Sequence, residues 1–385
     1  MAGNAMTGKR LEFGLLGPLE MSIDGALVPT GTPKQRAVLA MLVINRNRPV
    51  GVDALITALW EEWPPPGPGP AFIPTCPTCA SCSAAPGSTP GHIGRGTPGY
   101  RLSIPENSCD LGRFIAEKAA GVHAAAAGKF EQASRHLAAA LRVWRGPVLD
   151  DLRDFQFVNA FATALVEDKI LAHTAKAEAE IACGRAAEVI TELEALTVEH
   201  PYREPLWAQL ITAYYLTDRQ SDALSAYRRV KTTLAEDLGI DPGPTLRGLN
   251  ERILRQEPLD AKMNAKSTAV GTVTVLDQRT MVTGQQAMAC LHDIATGHDH
   301  PLRTAATRIG RLSDNDIVLD SAKVSRHHAV IIDTGTNYII NDLRSSNGVH
   351  VGHQRIRGAA TLNDGDHIRI CDHEFTFQIA ARRDR

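Results

Sequence analysis

Arg308-Ile309-Gly310-Arg311, Ser325-Arg326-His327-His328 and Ser345-Ser346-Asn347-Gly348 are three short polar knots set between alternating apolar runs near the C-terminus. Their spacing fits loops gathered at one end of a β-sandwich, since the runs between them have the length and the period of strands. Strands are expected at 328–333, 338–343, 367–371 and 374–379. In the last, Phe375, Phe377 and Ile379 face one side while Glu374, Thr376 and Gln378 face the other. What such loops offer is donors. Arg311 supplies a bidentate guanidinium, Ser325 and Ser346 hydroxyls, and Arg326 a second cation, a set suited to the charge and the acceptor oxygens of a phosphate group. Asn347 carries both a donor and an acceptor for a peptide backbone. Gly310 and Gly348 allow loop geometries that a side chain forbids. The constellation points to a reader of phosphorylated partners and not to a catalyst.

Composition narrows the rest. A chain of 385 residues has room for several domains, each with its own core. A formal net charge of −2 argues against broad, charge-driven adhesion to nucleic acid or membrane, while leaving room for a local basic surface. Residues 1–23 hold no continuous apolar run, and the longest one, at 37–44, is far short of the roughly 20 residues that span a bilayer. Seven scattered cysteines do not form a disulfide framework, so the expected compartment is the cytoplasm. The chain has no nucleophile elbow, P-loop or Rossmann glycine pattern. Glu61-Glu62 and Asp150-Asp151 are read as solvated surface. No enzyme activity, cofactor or metal site is expected.

The first segment, about 10–105, reads as two alternating strands, a turn at Asp24-Gly25, and two short helices. One helix opens at Thr32-Pro33, and the other carries Leu55, Ile56, Leu59 and Trp60 on one face. That is how a winged helix-turn-helix begins, but the next helix is missing. From Pro64 to Gly94 there is no Asp, Glu, Lys or Arg in thirty-one residues, and nine are proline, a composition that cannot sustain a helix. Tyr100, Leu102 and Ile104 then alternate as a closing strand. Cys76, Cys79 and Cys82 have metal-ligand spacing, with His92 as a fourth candidate, yet nothing around them can fold into a site. His327-His328 is no metal pair either, because neighbours on a strand face opposite ways. Arg36, Arg46 and Arg48 are read as solvated helix-face arginines in preference to phosphate contacts.

Residues 109–254 are rich in Ala, Leu, Glu and Arg and contain a repeat. Gly128 to Ala133 with Leu137 aligns with Gly184 to Val189 with Leu193, and with Asp218 to Ala223 with Tyr227. The later two copies are 34 residues apart, the tetratricopeptide period, with Trp207, Leu210 and Tyr214 at first-helix spacing. The earlier two are 56 apart, which implies an insertion around 144–157. Residues 256–284 read as linker, although Thr268, Thr272 and Thr274 within them are possible modification targets.

Residues 285–380 resemble a forkhead-associated (FHA) domain, whose loops carry Gly-Arg, Ser-x-x-His and Ser/Thr-Asn-Gly; here these are Gly310-Arg311, Ser325 to His328, and Ser346-Asn347-Gly348. The resemblance implies an eleven-stranded sandwich that binds phosphothreonine peptides. It places Arg311, Ser325, Arg326 and Ser346 on the phosphate, Asn347 on the peptide backbone, and His328 as a brace within the loops. Residues 200–243 resemble the bacterial transcriptional activation domain. The whole order resembles regulators of the Streptomyces antibiotic regulatory protein family. The fold class is therefore multidomain α+β: a degenerate OmpR-type winged helix at 1–105 with its recognition-helix region disrupted at 64–98, a tetratricopeptide-like helical domain at 106–256, a linker at 257–284, and an FHA sandwich at 285–385. Such a protein is a transcriptional regulator coupled to Ser/Thr kinase signalling, its partner a phosphothreonine-bearing protein such as an autophosphorylated kinase. Without a recognition helix no DNA-contacting residue is assigned, and promoter DNA stays open as a partner. The alternative is an interaction protein that competes for the kinase or pairs with an intact regulator of the family. Homo- or hetero-oligomers are compatible with either reading, and no membrane partner is expected.

Overall fold

The computed structural model describes residues 10–60, 92–96, 99–280, 288–302, 304–313, 315–334, 337–352, 354–356 and 358–380. Cys76, Cys79, Cys82 and nearly all of the 64–98 tract lie outside the described residues. By internal contacts the chain divides into two compact units: Met1–Ala116 with Arg142–Asp168 and Val275–Arg385, and Glu117–Leu141 with Lys169–Thr274.

In the first unit, strands β1 (Leu11–Gly14), β2 (Glu20–Ile23) and β3 (Ala26–Leu27) make an antiparallel meander. Asp24 and Gly25 both take positive φ, the two-residue turn whose twist suits a hairpin. Helix α1 (Pro33–Ile44) starts at Thr32, whose backbone N–H donates to Gln35 Oε1 at 2.9 Å. Helix α2 (Val52–Trp60) follows β4 (Pro49–Gly51), which joins β6 (Gly99–Ser103) and β5 (His92–Gly96) in a sheet.

The meander is clamped by Asp110 at the start of α3 (Asp110–Ala126). Its carboxylate, 2% exposed, accepts the backbone N–H groups of Leu15 and Leu16 at 2.8 and 2.9 Å and faces Arg145 at 3.5 Å. Arg145 belongs to the stretch that the irregular repeat marks as an insertion. That stretch is packed against the β1–β2 loop, with Leu149 N–H donating to Gly17 O at 2.7 Å. Two sequence expectations are corrected here. Asp151 is not solvated surface: it accepts Leu19 N–H at 2.8 Å and pairs with Arg36 at 3.3 Å. Nor are the basic residues simply solvated, since Arg46 pairs with Glu106 at 2.6 Å and Arg48 with Asp333 at 3.2 Å.

The same unit holds the sandwich, which has eleven strands among the described residues. One sheet has the order β10 (Ile317–Val318), β9 (Ala306–Gly310), β11 (Ala329–Asp333), β12 (Tyr338–Asp342), β15 (Ala359–Leu362). The other runs β14 (Gln354–Arg355), β13 (Val349–Val351), β16 (His367–Ile370), β17 (His373–Ala380), β7 (Met288–Asp293), β8 (Asp299–Pro301). Between them lies a core that includes Leu291, Ile331, Ile340, Phe375 and Phe377. On β11 and β12 the alternate residues Val330, Ile332 and Ile339 are buried as well, so these strands are covered on both faces and read as continuous apolar runs. Against the outer face, Asn45 Oδ1 accepts Ala305 N–H at 3.2 Å, and Asn337 Nδ2 donates to Asp168 Oδ1 at 2.5 Å.

The second unit is helical. Helices α4 (Phe130–Arg142), α5 (Gln156–Ala182), α6 (Ala186–Glu199), α7 (Glu204–Leu216), α8 (Gln220–Thr233) and α9 (Pro244–Leu254) follow one another, α5 running in from the first unit. Each copy of the repeat opens on a left-handed residue, Gly128, Gly184 or Asp218, and buries the residue five positions on in the helix it leads into: Ala133, Val189 or Ala223. Trp207, Leu210 and Tyr214 are buried in α7. The segment expected as linker contains helix α10 (Ala261–Thr280). It buries Ala265 and Ala269, the latter in a cluster with Ala124, Ala125, Ala133 and Ala179. A helix that docks through alanines leaves no stripe of large apolar residues for periodicity to detect.

Candidate functional site

Three loops of the sandwich, those that carry Arg311, residues 319–328 and residues 343–348, are drawn together by hydrogen bonds. Arg311 N–H donates to Ser325 O at 3.0 Å and Leu312 N–H to Arg326 O at 3.3 Å. Ser346 N–H donates to Ser325 Oγ at 3.2 Å. The side chains of Arg311, Arg326, Ser346 and Asn347 are exposed at this junction, and Ser325 is half-buried. All five residues expected to meet a phosphopeptide are thus on adjoining loops.

His328 is the brace. Fully buried, it accepts Ser325 N–H on Nδ1 at 3.1 Å and bonds Gly348 O through Nε2 at 3.1 Å. An amide can only donate and a carbonyl only accept, so the pair of bonds fixes the tautomer protonated on Nε2. One imidazole therefore sets the distance between two of the three loops. Gly310 has a steric duty, because a Cβ there would run into the carbonyl of Arg326. Gly348 adopts φ +74 with the Arg355 guanidinium packed against it, so a side chain would be both strained and obstructed. Asn347 Nδ2 donates to Lys323 O at 2.7 Å, which orients the amide and leaves its oxygen and second N–H for a ligand.

Sequence reasoning missed two contributors. Asn315, 6% exposed, donates through Nδ2 to Leu312 O at 2.8 Å and Arg326 O at 2.9 Å, tying the first loop to the second. Nothing in its sequence context marks it. Ser345 accepts Gly348 N–H at 2.9 Å and donates its own N–H to Asp342 Oδ1 at 2.9 Å, a local turn that its place in the quoted motif does suggest.

Comparison with known proteins agrees with this geometry. The Bacterial transcriptional activator domain family matches residues 109–254, and the FHA domain family matches residues 307–371. The chain is 78% identical over 382 residues to the transcriptional regulatory protein EmbR of Mycobacterium tuberculosis, covering 99% of this chain and 98% of that one. The chain belongs to the EmbR family of transcriptional regulators. Regulatory protein AfsR of Streptomyces coelicolor is a more distant relative, 34% identical over 69% of this chain and 26% of its own length. Among solved structures, M. tuberculosis EmbR in complex with a low affinity phosphopeptide superposes with a TM-score of 0.90 at 76% identity, covering 98% of this chain and 100% of that one. As EmbR-family proteins are regulators built from these domains, the chain is not an enzyme, and its fold is the multidomain α+β arrangement read from the sequence. Among the described residues no helix is long and apolar enough to cross a membrane.

Proposed function

We propose that this EmbR-family regulator reads phosphothreonine on a partner protein, with Arg311, Ser325, Arg326 and Ser346 on the phosphate and Asn347 on the peptide backbone. The observation that carries this reading is the junction where Ser346 N–H meets Ser325 Oγ above the buried His328, with two arginines exposed beside it. Support comes from the close likeness to an EmbR structure that contains a phosphopeptide. The partner is an autophosphorylated Ser/Thr kinase in the cytoplasm, and docking places the regulator for phosphorylation and changes its promoter binding. The domain limits that go with this function are a winged helix at 1–105, an activation domain at 106–256, a connecting segment at 257–284 and the FHA domain at 285–385.

The test is fluorescence anisotropy with a phosphothreonine peptide and its unphosphorylated twin. The phosphorylated peptide binds and the other does not. Arg311→Ala weakens binding by roughly 10- to 100-fold, as loss of a charge-assisted pair predicts. Equal binding of both peptides, or an unaffected variant, sinks the assignment.

One observation favours a second reading, an interaction protein that occupies the kinase or pairs with an intact EmbR-type regulator. Residues 64–94 hold no Arg, Lys, Asn or Gln, the side chains that read base edges. Capture of fragmented genomic DNA by the full-length protein separates the two. A reproducibly enriched site supports the regulator that binds promoters, whereas background recovery with phosphopeptide binding intact supports the competitor.

A further inference from the structure

The outer face of the five-stranded sheet does not close completely on what covers it. A cavity of about 330 Å³ remains between β11, helix α5 and the α1–β4–α2 corner, all within the first unit. Its walls are apolar on three sides: Ile44 and Val50 from the corner, Phe157 and Phe161 from α5, and Val330 and Ile332 from the sheet. Asn45 and Thr304 on its lining already bond to backbone, and the charged and imidazole groups lie on the side nearest the phosphopeptide loops. There Arg308 pairs with Asp316 at 3.6 Å, and His327 meets Asn315 Oδ1 at 3.2 Å.

We propose that this cavity is a binding site for a small, uncharged, largely apolar molecule with a single hydrogen-bonding end. Its volume lies at the lower end of the roughly 300–1,000 Å³ that ligand pockets occupy, and the mix of apolar walls with a few convergent polar groups is what such pockets share. Charge decides the class of ligand. Arg308 is already matched by Asp316, so an anion or a cation would enter among apolar walls without a counter-ion, at a heavy desolvation cost. A neutral head group can share the Arg308–Asp316 edge or the imidazole of His327 without that penalty. A well-packed interior leaves few voids larger than a water molecule, so a space of this size is not expected from packing alone.

The ligand also has a structural consequence. Its walls come from the winged-helix corner and from the FHA sheet together, so occupancy stabilises the arrangement in which the two are docked. Its polar lip shares Asn315 with the loops that hold Leu312 and Arg326. The site is thus distinct from the phosphopeptide surface yet adjoins it.

The probe is N-phenyl-1-naphthylamine, a neutral dye that brightens in apolar surroundings, titrated into the full-length protein. The expected result is one saturable site per chain. Ala54→Phe on α2 and Ala160→Phe on α5 project bulk into the cavity from different walls, and each weakens dye binding by at least about tenfold. Retained phosphopeptide affinity and thermal unfolding show that each variant is folded. Methyl-labelled wild-type protein gives an answer that needs no variant: the Ile44, Val50, Val330 and Ile332 resonances shift on titration, while Ile368 and Ile370 of the sandwich core do not. Absence of saturable binding, shifts elsewhere only, or undiminished binding in both folded variants overturns the proposal.

Discussion

Three arginines of the N-terminal region and Arg311 of the sandwich loops look alike in sequence and differ in what they face. Arg36, Arg46 and Arg48 each meet a carboxylate of their own unit: Asp151, Glu106 and Asp333. Arg311 is exposed on a loop whose backbone is bonded to that of the next loop. A matched cation contributes to the fold and has little field left for a ligand. Reading a phosphate takes the opposite arrangement, a guanidinium directed outward from a backbone that does not move. The number of basic residues therefore says little about which region recognises an anion.

The largest expected effect comes from the carboxylate that holds the first region together. Asp110→Ala removes a buried acceptor, leaving the N–H groups of Leu15 and Leu16 without it, while Arg145 keeps Glu20 as its counter-charge. Two buried donors left unsatisfied cost about 1–3 kcal/mol each, so a loss of roughly 2–6 kcal/mol is expected. Urea unfolding followed by circular dichroism measures it. A loss below about 1 kcal/mol would mean that water replaces the carboxylate and that the clamp is not structural.

His328→Ala comes next and acts on the sandwich. It deletes a fully buried ring and leaves Ser325 N–H and Gly348 O without their partners, so a cost of roughly 2–4 kcal/mol is expected. Phosphopeptide affinity falls with it, although the imidazole is buried beneath the loops and touches no ligand. If stability drops while affinity holds at a temperature where the variant is folded, loop spacing is not what His328 provides. The comparison between rigid and matched arginines would then lose its second half.

How much of this was readable before the structure depends on the length scale of the cause. The FHA loops were legible because each duty falls on a short contiguous motif. Gly310 has no room for a Cβ, Gly348 needs positive φ, and His328 must reach both neighbouring loops. The helical repeat was legible too, since a left-handed opening residue and a buried residue five positions on, Ala133, Val189 or Ala223, recur in every copy. Contacts between distant segments were not. Asp151 sits beside Asp150 in an acidic pair, and only the fold brings Leu19 and Arg36 to it. Helix α10 escaped notice because alanine at 265 and 269 supplies close approach and almost no hydrophobic signal. A clue to the covered sheet was present and unused. Ala329 to Ile332 is an apolar run without alternation, the mark of a strand buried on both faces.

The smallest effect belongs to Arg48, and it is the sharpest check on the contrast between Arg311 and the matched arginines. Its guanidinium is 44% exposed while its partner, the Asp333 carboxylate, is 8% exposed, so solvent screens much of the attraction. Arg48→Ala is expected to change the unfolding free energy by less than about 1 kcal/mol, the range of exposed ion pairs, with the difference shrinking as salt rises. Phosphopeptide affinity stays as it is. The informative readout is retention of DNA by the full-length chain. A cation matched by Asp333 has no phosphate to give up, so DNA retention in the variant equals that of the wild type, and so does its salt dependence. A weaker retention with a shallower salt slope would show Arg48 leaving Asp333 for a backbone phosphate. Arg48 would then join Arg311 as an arginine available to an anion.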